Sequence, residues 1–482
     1  MKLLFKIILL FGFVLSPQSY LNAQPITWQK VLYYTDNSAL DKVHQTKDEG
    51  FVAVGTSRVG GYGKIILIKF NKYGDTIWNK YFDLNVNAVY RGLWLDKTFD
   101  GGFIISGSGE GPGTDAYLIK TDSSGNILWY RTFGGLDLDQ SKCVRQLPDN
   151  GFILLVRTFS FNSTADILLI RTDSSGNEIW RKIYGNSTYD EIGNEIQIIG
   201  NCGFIIAGWK QIINQPANLY LIRSDIKGDT LWTRTFNSYL VSGAYSIDIT
   251  NDNGFIIGGA ADSTNNNEPM AYVIKTDSLG KIDWQRRYST GFKEYSFSIR
   301  ALPNNKYAFC GMSDSSFGNY ERAILRIIDG TGISLVEKYF RPGFNNAFHS
   351  LELTKDNGFI LCGYADFDAT LSFIVRTDSI GSVKPVGITN SGEIINNFTL
   401  CQNYPNPFNP TTIINYHVVV SSFISLKVFD VLGKEVATLV NQKQNAGSYS
   451  VDFDGSNLSN GIYFYKIEAD NFIETKRMVL VK

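Results

Sequence analysis

Histidine is scarce in this chain, with only His44, His349 and His417 among 482 residues. Three imidazoles in unrelated stretches make no metal or acid–base cluster that spacing can reveal. The five cysteines form no disulfide framework in a chain this long. Cys310 and Cys362 sit 52 residues apart at equivalent places, where two strands would be too distant to bridge. All five are expected as small buried side chains. Charge is low and balanced: 45 basic against 46 acidic residues, net −1, with no basic run, which argues against a nucleic-acid partner. Beyond the N-terminus, no apolar stretch approaches the length of a membrane helix.

What is present begins with an export leader. Lys2 and Lys6 precede an apolar core, Ile7 to Leu15, and Leu21-Asn22-Ala23 forms a small-residue cleavage site. Residues 1–23 therefore read as a signal peptide, leaving Gln24 as the new terminus. No cysteine follows the apolar core, so a lipoprotein anchor is not expected. The mature protein is expected to be soluble and exported.

The dominant feature is a repeat. Phe51, Phe103, Phe152, Phe204, Phe255, Tyr307 and Phe359 recur at gaps of 49 to 52 residues. Eight positions before each stands an aliphatic residue: Val43, Leu95, Val144, Ile196, Ile247, Ile299 and Leu351. Between them lies a turn, usually Asp-x-Gly, in which Asp bonds its own backbone and Gly supplies positive φ. A third run ends in a second turn, Asp-x-x-Gly, at Asp122, Asp173, Asp225 and Asp277. Four residues after its Gly comes Trp78, Trp129, Trp180, Trp232 or Trp284, with Val336 in the sixth unit. Four short strands per unit of about 50 residues is the signature of a β-propeller blade. The Asp-x-x-Gly-x-x-x-Trp stretch is similar to the Asp-box of sialidases and the Trp-docking motif of pyrroloquinoline-quinone propellers, although the spacing departs by about a residue. That resemblance implies a structural role, with each Trp packed between blades.

The seventh unit lacks its Trp strand after Asp378-Ser379-Ile380-Gly381. The missing piece lies at the other end, where Trp28-Gln29-Lys30-Val31-Leu32-Tyr33 matches Trp78-Asn79-Lys80-Tyr81-Phe82. Residues 24–381 are thus expected as a seven-bladed β-propeller of bacterial extracellular repeat type, closed by the N-terminal strand. His44 and His349 would then approach the axis from adjoining blades, as ordinary strand residues.

Residues 382–397 read as a linker, and the pattern changes from residue 398. Alternating strands run over Ile413 to Val418, Ile424 to Phe429, Val436 to Val440, Tyr449 to Phe453, Ile462 to Ile467 and Lys476 to Val481. They predict a small Ig-like β-sandwich, making the whole chain all-β. Asn403-Tyr404-Pro405-Asn406-Pro407-Phe408-Asn409-Pro410, then Asp430-Val431-Leu432-Gly433-Lys434-Glu435-Val436, then Asn460-Gly461-Ile462-Tyr463 and a basic-apolar end resemble the type A C-terminal sorting domain of the type IX (Por) secretion system. The resemblance covers residues 398–482. It implies a member of the Bacteroidetes or a neighbouring group, export by the Sec and type IX machineries, and attachment to surface lipopolysaccharide. The secretion signal would lie in the last strands, including Gly461, Tyr463, Lys476 and Lys482.

Residues for chemistry are few. Asp137, Asp139, Asp190, Glu191 and Glu294 precede blades and are expected in loops near one end of the central channel. There they are candidates for Ca²⁺ or for acid–base hydrolysis of a polysaccharide. No other cofactor is indicated. Short, uniform turns occupy one face of the ring, whereas variable loops occupy the other, where binding usually resides. Aromatic candidates on that face are Phe159, Phe161, Trp209, Tyr239, Tyr295, Tyr320 and Phe344. Non-catalytic binding of a glycan or protein through these loops is the favoured expectation. A polysaccharide hydrolase or lyase and a structural surface protein are the alternatives.

Overall fold

The computed structural model describes residues 25–32, 37–59, 62–82, 84, 90–109, 115–212, 215–236, 241–262, 268–289, 293–314, 321–366, 369–383, 399–400, 402–403, 406–418, 422–444, 447–469 and 472–482. The signal peptide, most of the linker, Tyr239 and Tyr320 lie outside these residues, as do Cys401 and the side chain of His417. No helix occurs among the described residues. The chain divides into two units, Met1–Val386 and Gly387–Lys482.

The first unit is propeller-like, built from repeated four-stranded antiparallel sheets, seven among the described residues. In the fourth, Tyr189–Ile198, Phe204–Ile212, Asn218–Ser224 and Thr230–Phe236 lie side by side in chain order. The repeated aromatic opens the second strand, except in the sixth sheet, where Lys306 precedes Tyr307. The aliphatic column of the first strands is wholly buried, with each member facing the middle of strand two, as in Val144↔Leu154 and Ile247↔Ile257. The last sheet departs from chain order. Trp28–Leu32 pairs antiparallel with Thr370–Thr377, Trp28 opposite Arg376, and so completes a sheet begun more than 300 residues later. Residues of this last sheet (Ile360, Cys362, Ile374) share one core with Leu40, Val43 and Phe51 of the first.

Two side-chain devices join and brace the sheets. Each tryptophan on an outer strand packs on the turn glycine of the following sheet, and Trp28, Trp129, Trp232 and Trp284 also meet its aromatic. Trp129 meets Phe152 edge-on at 5.8 Å, Trp284 meets Tyr307 at 6.0 Å, and Trp28 meets Phe51 at 5.7 Å. Gly125 holds a φ of 77° under Trp78, where a Cβ would come within 2.7 Å of the ring. The second device ties the Asp-x-Gly turn to the end of the third strand. Lys69 reaches Asp48 at 2.8 Å, Lys120 reaches Asp100 at 2.9 Å, Lys275 reaches Asp252 at 2.8 Å and Arg376 reaches Asp356 at 2.8 Å. Where the sixth unit has Val336, the short side chain leaves a groove of about 420 Å³ bordered by Phe359, Ser379 and Ile380.

The second unit has two sheets. Thr399–Leu400, Thr411–Val418 and Gly447–Asp454 form one; Glu435–Gln444, Ser422–Phe429, Gly461–Ala469 and Phe472–Leu480 form the other. Ile414, Tyr416, Leu426, Tyr465, Ile467 and Met478 fill the core of this unit. Tyr463 is buried with its hydroxyl donating to the Ser459 carbonyl, Lys476 pairs with Glu474, and Lys482 reaches the Ser456 carbonyl. Gly461 opens the strand with open space around it.

Two expectations need correction. Cys202 is exposed, because it occupies the middle of the hairpin turn Asn201-Cys202-Gly203; Cys143, Cys310 and Cys362 are buried, and all four are free thiols. Asp139, Asp190, Glu191 and Glu294 belong to first strands rather than loops, and Asp139, Glu191 and Glu294 are buried.

Candidate binding site: a central cavity and an aromatic groove

Every pairing of a first strand with its second strand carries a β-bulge at the same place. The breaks in register fall between Leu40 and Lys42, Gly92 and Trp94, Ser141 and Cys143, Gly193 and Glu195, Ala244 and Ser246, Ser296 and Ser298, and Phe348 and Ser350. One residue is left over in each: Asp41, Leu93, Lys142, Asn194, Tyr245, Phe297 and His349. A bulge re-aims the extra side chain out of the ladder. All seven line a single cavity of about 250 Å³, together with Lys42, Trp94, Glu195 and Ser298. Opposite the bulge stands glycine in six sheets, such as Gly55, Gly208 and Gly311, and Val156 in the third. A Cβ at Gly208 would overlap the carbonyl oxygen of Ile192, so the bulge and the glycine require one another.

Towards the Asp-x-Gly turns, the first strands are linked by ions. Glu195 is 1% exposed and is bonded by Arg145 at 2.9 Å, Arg300 at 3.2 Å and the Ser246 hydroxyl at 2.6 Å. Burial alone would raise its pKa, but Arg300, Lys42 and Arg145 hold it below the usual carboxylate value. Glu352 accepts from His44 at 2.6 Å and Lys97 at 3.1 Å, and these partners outweigh burial to bring its pKa to about 2. His349 lies 3.2 Å from Asp41. The two histidines therefore serve different strand contacts and do not meet at one site.

The acidic candidates separate from the cavity. Asp139 accepts from the Gly135 N–H and the Ser160 hydroxyl, each at 2.8 Å. Glu191 pairs with Lys210 at 2.9 Å, and Glu294 with Arg326 at 2.9 Å. Asp190 accepts from the Ala165 N–H at 2.8 Å, while Asp137 is exposed. Each of these carboxylates except Asp137 thus binds its first strand to a neighbouring segment. Among the described residues, no group of three or more His, Cys, Asp or Glu is placed to hold a metal.

Of the aromatic candidates, Trp209 and Tyr295 come together. With Tyr245, Gln211, Ser242 and Asp262 they line a groove of about 520 Å³ spanning the fourth to sixth sheets. Tyr245 borders both the groove and the central cavity. Its ring lies 6.4 Å from Tyr295 and 5.5 Å from Phe297, and Phe297 in turn lies 6.1 Å from His349. Burial raises the pKa of the Tyr245 and Tyr295 phenols, that of Tyr295 to about 12, so both present neutral hydroxyls at neutral pH. Phe159 lies under the Arg157 guanidinium at 4.6 Å, whereas Phe161 and Phe344 are exposed apart from the groove. The bulge column was the missed signal: it sits ten residues before the repeated aromatic, and glycine follows that aromatic by four.

No curated protein sequence matches this chain. Among solved structures, PorZ, a surface component of the type IX secretion system of Porphyromonas gingivalis, is 13% identical with a TM-score of 0.45. The match covers 92% of this chain but only 59% of PorZ. An α-L-arabinanase of Penicillium chrysogenum, solved with arabinobiose, is 10% identical over 73% of this chain and 99% of its own, at a TM-score of 0.40. YCF48, solved with a D1 peptide, is 10% identical over 74% of this chain and 96% of its own, at 0.44. At such scores none of them bears on function. Residues 402–482 match the model of the secretion system C-terminal sorting domain, Por_Secre_tail. The C-terminal unit is therefore a sorting domain, and the protein is exported to the cell surface or extracellular space by the type IX system.

Proposed function

We propose that the protein is a non-catalytic glycan-binding platform at the bacterial surface. Its first unit, in this reading, is a closed seven-bladed propeller, with residues 1–23 as a Sec leader. Closure is supported by the core shared between the first and last sheets and by the single cavity lined from all seven first strands. The observation that carries the binding role is the groove, which sets Trp209, Tyr245 and Tyr295 beside Gln211 and Asp262. Ring faces stack on the C–H surface of a sugar while amide and carboxylate groups bond its hydroxyls. Rigid scaffolds with variable loops place ligands in this way. A polysaccharide hydrolase or lyase is the second reading: Asp139, Glu191 and Glu294 each have one partner or more, but one oxygen each of Asp139 and Glu191 is buried without one.

The test is retention of the chain lacking residues 1–23 on immobilised polysaccharides, with product release monitored in parallel. The expected result is retention without release, weakened about tenfold or more in Trp209→Ala, the loss typical of a stacking anchor. Release of oligosaccharide, or retention indifferent to Trp209→Ala and Tyr295→Ala, would reject the proposal.

A further inference from the structure

We propose that the central cavity binds a small organic carboxylate, held by the side-chain amines of Lys42 and Lys142. The inference is independent of the glycan reading and rests on charge accounting inside the cavity. Of its two carboxylates, Glu195 is engaged by Arg145 and Arg300, and Asp41 lies 3.2 Å from the His349 ring. Its two amines, Lys42 and Lys142, have no carboxylate in contact among the described residues. Lys42 is 2% exposed and lines the cavity with its ammonium 4.0 Å over the Trp94 ring. A ring face attracts the cation but accepts none of its three N–H bonds conventionally. A buried ammonium with unsatisfied N–H groups is unfavourable, and an incoming anion would accept from both amines.

The protonation equilibrium points the same way. Burial, reinforced by Arg300 and Arg145, presses the Lys42 pKa down to about 7 despite the opposing pull of Glu195. Burial likewise lowers Lys142 to about 8. A bound carboxylate would favour the charged form of both amines, most of all Lys42, and gain a charge-assisted hydrogen bond.

Size and lining define the rest of the ligand. About 250 Å³ falls below the range of roughly 300–1,000 Å³ typical of pockets for larger ligands. The walls include the rings of Trp94, Tyr245, Phe297 and His349, so the carboxylate carries a flat or apolar body rather than being a bare inorganic ion. An adjoining cavity of about 360 Å³ shares Asp41, Leu93 and His349 and continues past Arg58 and Arg91.

Calorimetric titration of the chain lacking residues 1–23 tests this with benzoate and glucuronate as probes and benzyl alcohol as the neutral control. Benzoate or glucuronate is expected to bind and benzyl alcohol is not. Binding of glucuronate alone would assign a sugar acid, and of benzoate alone a free aromatic acid. Lys42→Met is expected to weaken binding about tenfold or more, the loss of one charge-assisted hydrogen bond. Lys142→Met should weaken it several-fold as well. Failure of both acids to bind at millimolar concentration would overturn the inference. So would equal binding of benzyl alcohol, or affinity unchanged in both variants.

Discussion

Replacing Trp28 by alanine should destabilise the entire first unit, not its N-terminal edge. Trp28 is 8% exposed, packs edge-on against Phe51 at 5.7 Å, and donates its indole N–H to the Lys72 carbonyl at 3.0 Å. Its strand is hydrogen-bonded to Thr370–Thr377, so one side chain fastens the last sheet to the first. Truncating a buried tryptophan costs about 3–5 kcal/mol from lost transfer energy and the cavity left behind. The lost hydrogen bond adds about 1 kcal/mol and leaves the Lys72 carbonyl to find water. With a urea slope near 3 kcal/mol/M, the midpoint should fall by about 1–2 M. The assay is equilibrium urea unfolding followed by tryptophan fluorescence and far-UV circular dichroism. Both probes should move together, in one transition. A loss under about 1 kcal/mol would refute the reasoning. So would an early, separate step in one probe that leaves the main transition in place, because the joint would then not hold the unit together.

Three further outcomes follow from the same contacts. Val336→Trp should fill the groove beside Phe359 and stabilise the unit by about 0.5–2 kcal/mol, as cavity-filling changes do; a destabilisation in the same urea assay would show that Leu325 and Lys338 already occupy the space. Lys42→Met should raise stability most below pH 7. Its folded pKa lies below its unfolded one, so the penalty of charging the buried amine is complete below about 7 and fades towards 10.5. The advantage of the variant should therefore shrink as pH rises through that window, and an advantage that grows would contradict the assignment. Deleting residues 461–482, which removes an interior strand and its neighbour from the four-stranded sheet of the sorting domain, should abolish surface delivery in cell fractionation without unfolding the first unit.

Much of this architecture is legible in the sequence because the repeat enforces it. Aromatic, aliphatic and turn residues recur at fixed offsets, and each answers a local requirement: a buried pair across two strands, a positive φ, a ring between sheets. The joining of Trp28–Leu32 to the last sheet could be read by subtraction, since one unit lacked a strand and the other end had one to spare. The central cavity could not. Its lining residues Asp41, Leu93, Lys142, Asn194, Tyr245, Phe297 and His349 share no chemistry, so they form no motif. They are united only by the bulge, which appears in six of the seven units as glycine four residues after the aromatic. Position before a blade also misled. Asp139, Glu191 and Glu294 stand beside turns and resemble solvated loop acids, yet each lies within the first three residues of a first strand. There a buried carboxylate is retained because it accepts backbone N–H, hydroxyl or cationic partners from the neighbouring segment. The basic partners of the Asp-x-Gly turns were missed for a related reason. Lys120 and Lys275 end buried strands, and only the fold brings them to Asp100 and Asp252.

The binding role is tested most directly by hydrogen–deuterium exchange on the chain lacking residues 1–23, with and without an oligosaccharide that the immobilised panel retains. The account predicts protection over residues 209–217, 242–245 and 260–262 and at Tyr295, with the Asp-x-x-Gly turns unchanged. Protection confined to those turns, or to the C-terminal unit, would contradict it.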